Sequence, residues 1–269
     1  MTPIATPEKT DLDNDLAESA SQGNVPKVAS LLAQGANARA GGSLPLSQAA
    51  EMGHAECVRL LIPVSDPRAE HSFALRCAAR HGHAQCVELL VPVSDPYARN
   101  SNAQNSNALD LAAVNGHADC VKIHIPVSDP KAVDCQALRA AARNGHSECV
   151  KLLIPVSDPE VFDHDAFKWA AARGHEECVR LLIPFSMPMS AKAPPFLWAF
   201  ENGRANIVAL MISHDPLLAS QIDPVKLGAE AAAKGRVELA SLMLSLAEAR
   251  SISTAIPPAA SSPPRLARL

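Results

Sequence analysis

The sequence predicts an all-α solenoid, a stack of helix-turn-helix units in which each unit touches only its neighbours. Three observations carry this. The segment GHAECVRLLIPVSDP, beginning at Gly53, returns with little change at Gly82, Gly116, Gly145 and Gly174. Weaker copies begin at Gly23, Gly203 and Gly235, so the anchors stand 29 to 34 residues apart, a spacing that marks stacked repeats. Aromatic residues make up only 3% of the 269-residue chain, as expected where small repeats pack through Ala and Leu. About eight units follow from the eight anchors.

Residues 66–91 show why each element forms. Asp66-Pro67 starts a turn, because proline fixes φ and offers no N–H to a ladder. Arg68 to Ser72 form a short polar connection. FALRCAARHG follows, with Leu75, Ala78 and Ala79 at helical spacing. Gly82 stands where a helix end wants a left-handed residue. His83 turns the chain into AQCVELLV, almost wholly apolar, as a helix packed on both sides should be. Pro92 ends it, since proline biases its predecessor away from the α region.

Charge and composition exclude several classes. A net charge of −4 gives no global electrostatic case for nucleic acid or an anionic membrane. No run of 18 apolar residues exists, and the first residues have no apolar signal core. A cytoplasmic protein is the expectation. Five of the seven cysteines, Cys57, Cys86, Cys120, Cys149 and Cys178, occupy one slot of successive units. Equivalent points of stacked helices lie roughly 8–10 Å apart, too far for a disulfide. A reducing compartment fits.

The unit resembles the ankyrin repeat. Ser43 to Ile62, SLPLSQAAEMGHAECVRLLI, is similar to that family's T-P-L-H-x-A-A-x-x-G-H-x-x-V-V-x-L-L-L pattern, and VASLLAQGANA from Val28 keeps its tail. The resemblance covers about residues 11–249; residues 1–10 and the Pro/Ser-rich 250–269 are expected to be flexible. Ankyrin units run to about 33 residues, so the 29-residue spacing implies shortened hairpin loops. One insertion, Arg99 to Ala108, carries four Asn and is a candidate recognition loop or a neutral surface insertion. Polar Glu18, Ser19 and Ser21 at one end, and Glu230, Lys234, Glu238 and Glu248 at the other, are expected to form capping outer faces.

The recurring His-x-x-Cys pairs (His54/Cys57, His83/Cys86, His117/Cys120, His146/Cys149, His175/Cys178) suggest zinc. Two further ligands per pair would be needed, and no repeated residue supplies them. The cysteines are better read as small core hydrophobes, the histidines as ties for loop backbone. No metal or other cofactor is expected. The sequence has no G-x-S-x-G, P-loop, G-x-G-x-x-G or H-E-x-x-H pattern, and residues repeated for structure are poor catalytic candidates, so no enzyme is expected.

Positions that vary between copies carry the functional signal. One slot of the first helix reads Glu18, Gln48, Cys77, Leu111, Ala140, Trp169, Trp198, Glu230. The resemblance places it on or near the concave surface. Trp is enriched at binding hot spots, although two rings packed sideways between helices would explain it too. Arg76 and Arg80 share a helix face, as do Arg139 and Arg143, and Lys168 and Arg173 extend the pattern. The resemblance implies a module that binds another protein through its concave face. These residues, with Leu111, Trp169 and Trp198, are its candidate contacts. An acidic patch on the partner and a monomeric chain are expected. The alternatives are a spacer without a specific ligand and a thiol or metal site on the His-x-x-Cys pairs.

Overall fold

A computed structural model describes residues 9–99, 106–185 and 194–255. Most of the Asn-rich insertion (100–105), residues 1–8 and residues 256–269 lie outside the described residues. The chain is helical, with no strand among the described residues. Helices come in pairs: α1 (Lys9–Ser21) with α2 (Val25–Ala33), α3 (Ala40–Glu51) with α4 (Ala55–Leu61), and α5 (Ala69–His81) with α6 (Ala84–Leu90). Next are α7 (Ala108–Asn115) with α8 (Ala118–His124), α9 (Ala132–Asn144) with α10 (Ser147–Leu153), and α11 (Val161–Arg173) with α12 (Glu176–Leu182). After α13 (Pro194–Glu201) and α14 (Ala205–His214) comes a short α15 (Pro216–Gln221), then α16 (Pro224–Ala233) with α17 (Val237–Ala255). The first helices from α1 to α13 pack in succession, and the second helices from α2 to α14 form a parallel row.

The second helices α4, α6, α8, α10 and α12 are seven residues long. Two turns do not hold alone in water, so burial holds them. One continuous core runs through the described units. Leu46, Leu75, Leu109 and Leu138, then Phe167 and Phe196, fill one slot of successive first helices at 0–1% exposure. Paired alanines such as Ala78-Ala79 and Ala141-Ala142 are fully buried beside them and let neighbouring helices approach closely. Cys57, Cys86, Cys120, Cys149 and Cys178 fill the equivalent slot of the second helices, as core residues should.

The short connectors replace the hairpin with a left-handed turn. Glu70, His71 and Ser72 all have φ between 50° and 58°, and Gly41, Gly42 and Ser43 repeat the turn one unit earlier. Non-glycine residues in this region cost about 1–2 kcal/mol each, so other contacts must hold it. Ser72 Oγ accepts the Asp95 N–H of the next unit at 2.9 Å, Ser43 Oγ accepts that of Asp66 at 2.9 Å, and Cys135 Sγ accepts that of Asp158 at 3.2 Å. Each of these aspartates also caps its own turn, Asp95 accepting from Tyr97 N–H and Asp66 from Arg68 N–H. The V-S-D-P motif is therefore a joint between units.

Two boundaries differ from the sequence reading. Helix α1 starts at Lys9, ahead of residue 11. Helix α17 runs through 249 to Ala255, because no proline interrupts the chain before Pro257. Ser19 is a further correction. It is fully buried in the slot of the paired alanines, not on a capping face, whereas Glu18 is exposed as expected.

Candidate functional site

The face formed by the first helices brings the variable residues together. Trp169 on α11 and Trp198 on α13 meet edge to face, ring centroids 5.3 Å apart and planes at 74°. Both remain partly exposed. They neither project singly into solvent nor vanish between helices. The Arg143 guanidinium lies 4.4 Å from the Trp169 ring centroid and that of Arg173 lies 5.8 Å from it. A pocket of about 500 Å3 opens beside this ring, lined among others by Leu111, Arg139, Ala140, Arg143, Asp165, Trp169 and Arg173. Five of the nine sequence-chosen residues thus line one pocket.

The cations are not equivalent. Arg139 Nε donates to Asp165 Oδ2 at 2.8 Å. Lys168 is half-buried, whereas Arg80, Arg143 and Arg173 are exposed. Arg76 departs from the expected solvated row. It is 8% exposed, with Nη2 donating to the Glu70 carbonyl at 3.3 Å. Burial holds its guanidinium below its ordinary value, against the opposing pull of Cys77 and Glu70. The left-handed turn of α5 folds that carbonyl back over the side chain, which a helical wheel does not reveal.

Sequence reasoning also missed Asp110, which stands in the Arg76 slot. It is buried, pairs with Arg99 at 3.1 Å and closes a reciprocal cap with Asn107. Burial raises its pKa, and bonding to Asn107 and Arg99 opposes the rise. The signal was present in the N-x-x-D spacing ahead of an apolar run.

The histidines of the G-H motif reach between units. His83 Nε2–H donates to Glu51 O at 2.8 Å, His117 to Arg80 O at 3.0 Å, His146 to Val114 O at 3.0 Å and His175 to Arg143 O at 3.1 Å. The opposite ring edge packs on the preceding unit's glycine, so that a Cβ added at Gly53, Gly82, Gly116 or Gly145 would meet Nδ1 at 2.5 Å. Each of these rings thus sits between a carbonyl and a glycine of the preceding unit. Among the described residues, no three His, Cys, Asp or Glu groups gather as metal ligands do. Burial pushes the thiols of Cys86, Cys120, Cys149 and Cys178 up to about 11. At neutral pH they are protonated and poor nucleophiles.

His124 is the exception within the repeated second helices. It stands where α4, α6, α10 and α12 carry leucine and is fully buried. Its Nδ1–H donates to Cys120 O at 2.8 Å, and Nε2 has no hydrogen-bond partner among the described residues. Burial lowers its pKa, with the bond to Cys120 opposing.

Comparison with known proteins agrees with this architecture. The family described as Ankyrin repeats (3 copies) matches residues 64–134, 109–192 and 138–222, together more than half of the chain. No curated protein matches the sequence. Among the described residues, no helix is long and apolar enough to cross a membrane.

Proposed function

The chain belongs to the ankyrin repeat family, and we propose that it binds a partner protein through the face its first helices form, the concave one in that family. Ankyrin repeats are generally protein–protein interaction modules and generally not enzymes. The observation that carries the finer reading is the Trp169–Trp198 pair, partly exposed and edge to face, with Trp169 lining a pocket that Leu111 also lines. Large rings left partly exposed on a chain with 3% aromatics are what an interface hot spot needs. Arg143 and Arg173 add positive charge to the same patch, which favours a partner with an acidic surface. A monomeric, cytoplasmic protein completes the proposal.

The test is a pull-down from native lysate with the wild type and the Trp169→Ala/Trp198→Ala variant side by side, after both show the same helical signal and melting. A protein captured by the wild type and lost by the variant supports this face as the binding surface. Equal capture by both moves the site to the Asn-rich insertion, the second-helix side or the termini. Capture by neither favours a spacer role.

A further inference from the structure

Among the described residues, the pocket beside Trp169 carries unbalanced positive charge. Among the described residues, Arg139 is neutralised by Asp165 at 2.8 Å, whereas Arg143 and Arg173 have no carboxylate within ion-pair distance. Both lie within 6 Å of one indole centroid. A guanidinium resting on a ring keeps its N–H edge for a planar, two-pronged acceptor. Stacking also restrains the side chain beforehand, so less freedom is lost when an anion arrives. The neighbouring His175 reports the same field. Its pKa is lowered first by burial and further by the positive charges of Arg173, His146 and Arg204, against the bond to the Arg143 carbonyl. At about 500 Å3 the cavity has the size of a small-ligand site. It suits one side chain and its flanks, not a whole helix. Asp165, which also lines the pocket, favours a singly charged group over a dianion.

Resting on the reading above, we propose that this pocket takes the carboxylate of one aspartate or glutamate from an extended segment of the partner, seated beside Arg143 and Arg173 with an adjacent apolar residue against Trp169. The acidic residue sets the register of the segment along the first-helix face. The Trp169–Trp198 pair supplies the apolar contact.

Selection of a phage-displayed library of random dodecapeptides on the full chain, followed by fluorescence anisotropy with the enriched peptides, tests this. Enriched sequences should carry Asp or Glu next to an aliphatic or aromatic residue. Replacing that acid by its amide should weaken binding about ten-fold, as loss of a charged hydrogen-bonded pair does. Arg143→Gln/Arg173→Gln should weaken the acidic peptide equally and leave its amide counterpart unaffected. Arg143→Lys/Arg173→Lys should restore part of the loss, and affinity should fall as salt rises. Both arginines are exposed, so unchanged melting of these variants is expected. No enriched peptide, enrichment of neutral or basic sequences, or indifference to Arg143→Gln/Arg173→Gln overturns the inference. If Trp169→Ala/Trp198→Ala abolishes binding while the arginine variants do not, this inference fails and the first-helix face stands. Indifference to both variants sinks both.

Discussion

The two halves of the stack solve one joint in different ways. Along the repeated half, from His54 to His175, a histidine ring lies on the preceding unit's glycine and donates to a carbonyl of that unit. At the last two joints the ring is replaced. Arg204 Nε donates to Ala172 O at 3.1 Å, and Arg236 Nη1 donates to Phe200 O at 3.0 Å. The carbonyl is satisfied either way, so the hydrogen bond alone does not explain the histidine. What differs is the gap. A Cβ on Gly145 would meet the His175 ring at 2.5 Å, one on Gly174 would meet Arg204 Cδ at 3.1 Å, and one on Gly203 would meet Arg236 at 3.5 Å. The ring acts as a spacer of fixed thickness, whereas the arginine stem adapts. The Trp169–Trp198 contact spans the first of the arginine joints, between α11 and α13. The aromatic pair of the first-helix face therefore falls where the joint changes type.

The largest break expected in the repeated half comes from its core. Cys149→Asp places a carboxylate at a site with 0% exposure, a cost of several kcal/mol. The helical signal should collapse. Cys149→Val keeps the volume roughly and should shift the melting temperature little, since such swaps usually cost under about 1.5 kcal/mol. A chelator-dependent melting temperature in the wild type would contradict the packing role of this residue.

A glycine series compares the two joint types directly. Gly145, Gly174 and Gly203 have φ of 81°, 83° and 69°, so alanine at each carries a similar backbone penalty of about 1–2 kcal/mol. Gly145→Ala must also displace the His175 ring and forfeit its hydrogen bond, about 1 kcal/mol more. Melting should fall most for Gly145→Ala, less for Gly174→Ala and least for Gly203→Ala. Equal losses at all three would mean that the ring is not a spacer.

Within the repeated half, His124 breaks the pattern of its own row. His124→Leu restores the residue of the neighbouring units and removes a buried nitrogen without a partner, worth about 1–3 kcal/mol. The sign with pH follows from its lowered folded-state pKa. Below the ordinary value of 6.5 the unfolded chain takes up a proton that the folded chain resists. Stability is therefore lost as pH falls through that value, until the folded-state pKa is passed. Urea melts across this range should show the wild type losing more than His124→Leu. Parallel losses would assign the acid sensitivity elsewhere, for example to His175, whose pKa is also lowered.

These predictions rest on features of unequal visibility in the sequence. The stack, its helix pairs and the buried cysteines follow from repetition and apolar period, because every unit must bury the same faces. The partner of each histidine is not visible, since it lies in the neighbouring unit, 32 residues away for His83 and Glu51. The left-handed turns are hidden because Glu70, His71 and Ser72 adopt φ values that their residue types rarely take. Five candidate site residues converged on one pocket because they share first-helix faces of adjacent units. Arg76 did not, since its environment is set by that unforeseen turn.

The smallest single effect is the most discriminating. Arg204→His converts the first arginine joint into the type found one unit earlier. Both side chains donate to a carbonyl of the preceding unit, so the substitution alone should change stability by less than about 0.5 kcal/mol, as for an exposed change that keeps its hydrogen bond and opens no cavity. Its consequence appears at Gly174, where a rigid ring would now face the glycine. Gly174→Ala should then cost about as much as Gly145→Ala does in the wild type. The two substitutions should be non-additive by about 1 kcal/mol, the scale of coupling between residues in contact. A double-mutant cycle on melting midpoints measures that term. Additivity would show that the glycines are needed for backbone conformation alone, and that histidine is merely one of several donors the joint accepts.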